Sequence, residues 1–132
     1  MCEPVENKQL SIRTLKNRSD FLRVAKQNKK WISSSMVVQI SPSLYNKKQQ
    51  ISDIRVGFTA SKKVGNAVLR NKAKRRLREV VRHVMTTEGK ENYDYVIIAR
   101  DVATLNPFNQ LIRDMKWSLK RLHDSLDQNE RI

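Results

Sequence analysis

The chain of 132 residues has one cysteine, Cys2, so no internal disulfide can brace it. Its two histidines, His83 and His123, offer no spacing from which a metal site could be assembled. Nowhere do about 18 apolar residues run together, so no membrane-spanning helix is expected. The opening residues carry Glu3 and Glu6 and no apolar h-region, which argues against secretion. A glycine-spaced phosphate loop ahead of Lys-Ser/Thr is missing, as are internal repeats and low-complexity tracts. These gaps predict a metal-free, cytoplasmic chain with no membrane partner. The length fits one domain, placed at 13–126 between a flexible N-terminal tail (1–12) and a C-terminal tail (127–132).

Acid is also scarce. Lys and Arg total 27 against 13 Asp and Glu, a net charge of +14. Residues 62–82 hold nine cations and one acid, residues 8–30 hold eight and one, and the rest of the chain sums to −1. Two local basic surfaces are the electrostatic footprint of a nucleic-acid binder. In the first of them the cations follow helical order. With Leu69 at zero on a helical wheel, Arg70, Asn71, Lys74, Arg75, Arg78 and Arg82 fall in one arc from roughly 100° to 240°. Leu69, Ala73, Leu77, Val80 and Val84 form a separate apolar stripe. One face can be buried while the other presents ordered cations to a polyphosphate. The stripe is aliphatic and lacks an interfacial Trp, which disfavours a membrane surface. Arg70, Lys74, Arg75 and Arg78 repel one another on neighbouring turns, a cost that a bound polyanion relieves. Lys72 and Arg76 lie on the far flank of the stripe and read as solvated charges.

Asn17 or Ser19 caps a short first helix that ends near Asn28. Met36 to Ile40 and Ile54 to Ser61 read as strands joined by a polar loop, Ser41 to Asp53. In the second strand Val56, Phe58 and Ala60 share one face, and Gly57, Thr59 and Ser61 the other. A turn at Val64-Gly65-Asn66 leads into the basic helix, Ala67 to Met85, which Gly89 stops. Tyr93 to Arg100 is a third strand, with Ile97 and Ala99 opposite Val96, Ile98 and Arg100. Asn106 caps a final helix that opens at Pro107, with an apolar seam of Phe108, Leu111, Ile112, Met115, Leu119, Leu122 and Leu126. The order α-β-β-α-β-α predicts an α+β sandwich, one small central sheet with helices packed on it. The basic helix sits in a β-α-β unit, for which the general preference is a right-handed crossover.

No nucleophile, base and orienting group come together in this pattern, since His83 and His123 each lie inside a helix. Two-metal nuclease chemistry needs several converging carboxylates, and with Asp94 and Asp101, bracketing the third strand, as its candidates that reading is disfavoured. Thr59, Ser61 and Arg100 combine with Phe21 into a shallow groove of the kind that holds single-stranded RNA by stacking and phosphate contact. Phe21 fits a core position equally well.

The motif Arg70-Asn71-x-x-Lys74-Arg75-x-x-Arg78, preceded by Ser61-Lys62-Lys63-Val64-Gly65-Asn66-Ala67-Val68, resembles the signature of the protein subunit of bacterial ribonuclease P. Leu15-x-Asn17-x-x-Asp20-Phe21, Arg55-Val56-Gly57 and Asp94-Tyr95-x-Ile97-Ile98-Ala99-Arg100 are similar to that family's first helix and flanking strands. The resemblance implies a ribosomal protein S5 domain 2-like fold with a left-handed β-α-β crossover. It implies that Lys62, Lys63, Asn66, Arg70, Asn71, Lys74, Arg75 and Arg78 bind the ribonuclease P RNA subunit. The groove of Phe21, Thr59, Ser61 and Arg100 would receive the 5′ leader of precursor tRNA. Cleavage would fall to the RNA, with Mg²⁺ held mainly by it, no catalytic side chain in the protein and no obligate protein partner. Ala25 departs from the family pattern, which usually has a second aromatic four residues after the first, so stacking would rest on Phe21 alone. The alternative is a structural RNA-binding protein of the ribosome or another assembly, with no processing role.

Overall fold

The computed structural model describes residues 11–43 and 53–130. The elements run β1 (Ser11–Thr14), α1 (Arg18–Lys26), β2 (Lys30–Ile32), β3 (Met36–Pro42), β4 (Asp53–Ala60), α2 (Ala67–Glu88), β5 (Tyr93–Ala99) and α3 (Phe108–Glu130). Short 3₁₀ turns at Lys62–Val64 and Asp101–Thr104 flank the ends of β4 and β5. The strands form one mixed sheet in the order β1-β4-β5-β3-β2. β4 runs parallel to β1 and β5, whereas β3 pairs antiparallel with β5 and β2.

Two strands go beyond the expected α-β-β-α-β-α order. β1 and β2 are four and three residues long and form the two edges of the sheet. Ser11 and Ile12, expected in the N-terminal tail, belong to β1, and α3 runs to Glu130, past the expected domain limit at 126. Residues 1–10 and the middle of the expected loop lie outside the described residues, while Ser41 and Pro42 extend β3 and Asp53 opens β4. α2 continues three residues beyond Met85, and the Gly89 N–H closes it on the Met85 carbonyl at 3.1 Å. α3 opens one residue later than expected, with the Pro107 carbonyl accepting from the Leu111 N–H at 3.3 Å.

β5 is apolar nearly throughout because helices cover both faces of the sheet, and Tyr95, Val96, Ile97 and Ala99 are buried. On one face Met36, Val38, Ile40, Val56 and Ile97 meet Leu77, Val80 and Val84 of α2 and Leu111, Met115 and Leu119 of α3. Tyr95 is fully buried in this layer. Its hydroxyl accepts from the Lys90 N–H at 2.9 Å and bonds His123 Nε2 at 2.8 Å. Burial pushes its pKa well above the ordinary phenol value, so the ring stays neutral.

α1 covers the opposite face, where the buried apolar cluster among the described residues is Leu15, Val24 and Val96, with Phe21 and Ile98 partly buried against it. At about 1.5–3 kcal/mol per buried aliphatic, this layer holds far less tightly than the other. Gly57 on β4 makes the approach possible. A Cβ placed there would lie 2.5 Å from Phe21 Cζ, 2.7 Å from its Cε1 and 3.1 Å from Leu15 Cβ. The Phe21 ring therefore rests on bare backbone. Gly57→Ala should lower stability in urea denaturation, because overpacking of about 1–3 kcal/mol exceeds the 0.5–1 kcal/mol or so that alanine recovers in chain entropy. An unchanged midpoint would show that α1 moves aside freely.

Candidate nucleic-acid interface

The turn into α2 is built residue by residue. Val64 is buried and anchors it, while Lys62 and Lys63 remain exposed. Gly65 has φ 138°, a region that only glycine enters readily, and its missing Cβ leaves room for Leu69, whose Cδ1 would sit 2.5 Å away. Asn66 is the N-cap, its Oδ1 accepting from the Leu69 N–H at 3.0 Å. That carbonyl is engaged in the cap, so of the Asn66 side chain the amide N–H groups are what remains for a ligand. No acid lies in the first turn to offset the positive helix end.

Along α2 the buried positions are Ala73, Leu77, Val80, Val81, Val84 and Met85. The apolar face is thus rotated from the expected stripe, away from Leu69 and toward Val81 and Met85. Leu69 is 38% exposed and packs on the glycine turn instead of the core. The expected arc divides accordingly. Asn71, Arg75, Arg78 and Arg82 are exposed, whereas Arg70 and Lys74 are half-buried at its margin. Arg70 Nε is enclosed without a hydrogen-bond partner. Arg78 lies 5.5 Å over the Phe58 ring, and Arg82 pairs with Glu79 at 3.1 Å. Arg75 and Asn71 stand open.

Arg76 does not fit the reading of a solvated charge. Its Nη1 donates to the Ala103 carbonyl and its Nη2 to the Asn106 carbonyl, both at 2.7 Å, bolting α2 to the segment before α3. Lys72 is exposed as expected. The four groove residues lie around the α1 side of the sheet. Phe21 is half-buried over Gly57, and Thr59, two residues along β4, is half-buried beside Ile98 in register. Ser61 and Arg100 are exposed at the strand ends, with Arg100 Nη1 donating to the Ser33 carbonyl at 2.7 Å. Ala25 is exposed, and so is Leu22, which sequence reasoning left out.

Asp94 and Asp101 do not converge on a shared site. Asp94 is enclosed and bound by Arg55 and Arg23, and Asp101 is exposed at the surface. Among the described residues no three His, Cys, Asp or Glu side chains are grouped to hold an ion. His83 is exposed, edge-on to Phe108 at 5.6 Å. Among the described residues no helix is long and apolar enough to cross a membrane. The arrangement presents exposed cations along α2 and a half-buried Phe21 over β4.

The sequence model of the family described as Ribonuclease P matches residues 11–123. The chain is 44% identical over 108 residues to the ribonuclease P protein component of Paramagnetospirillum magneticum, covering 82% of this chain and 80% of that protein. With the corresponding component of Ruegeria pomeroyi it shares 44% identity over 113 residues, 85% of this chain and 87% of the other. The RNase P protein of Staphylococcus aureus superposes with a TM-score of 0.64 at 31% identity, covering 81% of this chain and 92% of that one. The RNase P protein of Thermotoga maritima gives 0.67 at 26% identity, over 83% and 96% of the two chains.

The α2 geometry separates exposed cations from the structurally engaged Arg76. Arg75→Ala and Arg78→Ala should each weaken RNA binding, flatten the salt dependence by roughly 0.7–0.9 in log–log slope, and leave the melting temperature unchanged. Arg76→Met should instead lower stability by on the order of 2 kcal/mol, since it strips two charge-assisted bonds to carbonyls. If Arg76→Met melts like the unaltered protein, the bolt is not structural.

Proposed function

The chain belongs to the ribonuclease P protein family, and we propose from that premise that it binds the catalytic RNA through α2 and the 5′ leader of precursor tRNA along the α1 side of the sheet. Membership makes it an RNA-binding component of the endoribonuclease that processes tRNA. The alternative of a structural ribosomal protein draws no support from the matched family. The observation that carries the proposal is the exposed row Asn71, Arg75 and Arg78 on a helix whose other side is core. Lys62, Lys63 and the half-buried Arg70 and Lys74 border that row and extend the contact.

Phosphodiester cleavage is assigned to the RNA subunit. Asp94 is taken up by arginines, and among the described residues no group of acids is placed to hold an ion. On this reading Mg²⁺ is held by the RNA, and the side chains here bind and orient. Fixed guanidinium groups on phosphate do part of the charge neutralisation that free divalent ions otherwise supply, so less Mg²⁺ suffices. The half-buried Phe21 leaves part of its ring for one base, with Thr59, Ser61 and Arg100 toward the strand ends. On this proposal the protein works in the cytoplasm, with the precursor tRNA.

Leader removal by ribonuclease P RNA at low Mg²⁺ should be stimulated by this protein, and no stimulation overturns the proposal. With six to ten phosphates contacted, affinity should fall by roughly 10³ to 10⁵ between 50 and 200 mM salt. Phe21→Ala should lower affinity for precursor tRNA more than for mature tRNA, by roughly 1–3 kcal/mol for one lost stacking contact. An equal loss for both substrates would return Phe21 to a purely structural part.

A further inference from the structure

Beneath α1 lies a largely buried group of four charges, Asp20, Arg23, Arg55 and Asp94, linked to one another by ion pairs. Asp94 on β5 has a fully buried side chain. Its Oδ1 accepts from Arg55 Nε at 3.0 Å and its Oδ2 from Arg55 Nη2 at 2.6 Å, while Oδ2 also accepts from Arg23 Nη2. Arg23 reaches on to Ser41 Oγ at 3.1 Å and the Pro42 carbonyl at 3.0 Å on β3, and back to Asp20 on its own helix at 3.3 Å. Asp20 lies 3.6 Å from Arg55 Nη2. The two acids and two arginines cancel, and the Arg23 and Arg55 side chains are only 19% and 14% exposed. They are poorly placed to serve as phosphate ligands.

Their position explains what they do. Phe21 is on the same helix between Asp20 and Arg23, and its ring lies on bare Gly57. α1 has nine residues and a single fully buried aliphatic, Val24. One valine cannot fix both the rotation and the height of a short helix, whereas bonds of set direction to β3, β4 and β5 can. We infer that Arg23 and Asp94 are positioning residues for leader recognition, holding α1 at the height over β4 at which Phe21 forms one wall of the groove. This rests on the leader-binding reading of that groove.

Arg23→Met keeps the stem, removes the fork and leaves Asp94 with both bonds from Arg55. The reconstituted ribonucleoprotein is measured for affinity to precursor tRNA and to mature tRNA, and the protein for affinity to ribonuclease P RNA. The gain in affinity due to the leader should shrink about tenfold, or about 1.4 kcal/mol, with the other two affinities unchanged. Arg23→Lys, which keeps the charge without the fork, should fall between. An unchanged leader gain in folded Arg23→Met overturns the inference, and so does an equal loss of RNA-subunit affinity, which marks general destabilisation. Should Arg23→Met not fold, Arg23→Lys decides, and a leader gain equal to that of the unaltered protein overturns the inference. A missing leader gain in the unaltered protein is a separate result, which removes the leader reading itself.

Discussion

A carboxylate without water must be surrounded by donors, and Asp94 imposes that demand at the middle of the sheet. β5 lies between β4 and β3, and the residues opposite Asp94 are Arg55 on one side and Ser41 on the other. Arg55 answers directly; Ser41 answers through Arg23, which bonds both. Sliding β4 by one residue against β5 would send Arg55 to the far face and strand the charge. Strand register and the seat of α1 are therefore set together. Removing one partner from such a group costs more than the group adds over an apolar substitute, so its weight lies in specificity.

The two faces of the sheet manage charge in opposite ways. Under α1 the charges are enclosed and cancel. On α2 most of them are left uncancelled, Arg82 with its Glu79 partner apart, and the apolar side of that helix is locked to the sheet and α3 by Leu77, Val80 and Val84 and bolted by Arg76. Repulsion between neighbouring guanidinium groups is tolerable where the backbone carrying them cannot unwind. The glycine turn and the Asn66 cap hold the same helix at its start.

Much of this was legible in the sequence, for reasons that also mark the limit. The three longer strands, α2 and the α3 seam carry strong period-two or period-3.6 patterns, and the structure has them within a few residues. β1 and β2 do not, since SIRT and KWI are too short to show a period and exist only as partners of β4 and β3. The helical wheel put Leu69 on the apolar side, because nothing local says that this residue would pack on the Gly65 turn instead of the core. Arg76 looked like any solvated cation, its partners being carbonyls 27 and 30 residues away. Asp94 looked available to a metal for the same reason, as Arg23 lies 71 residues before it. Long-range polar pairs leave no periodic trace.

The open side of α2 also has a metric. Asn71, Arg75, Arg78 and Arg82 follow at intervals of four, three and four residues, so a rise of 1.5 Å per residue spreads them over roughly 16 Å in steps of about 4.5–6 Å. Because the opposite side of the helix is core, those steps cannot stretch. A backbone whose phosphates already stand at that pitch docks without rearranging, and one that must be re-spaced has first to bend. In the proposed contact with RNA, the helix would act as a ruler for phosphate spacing.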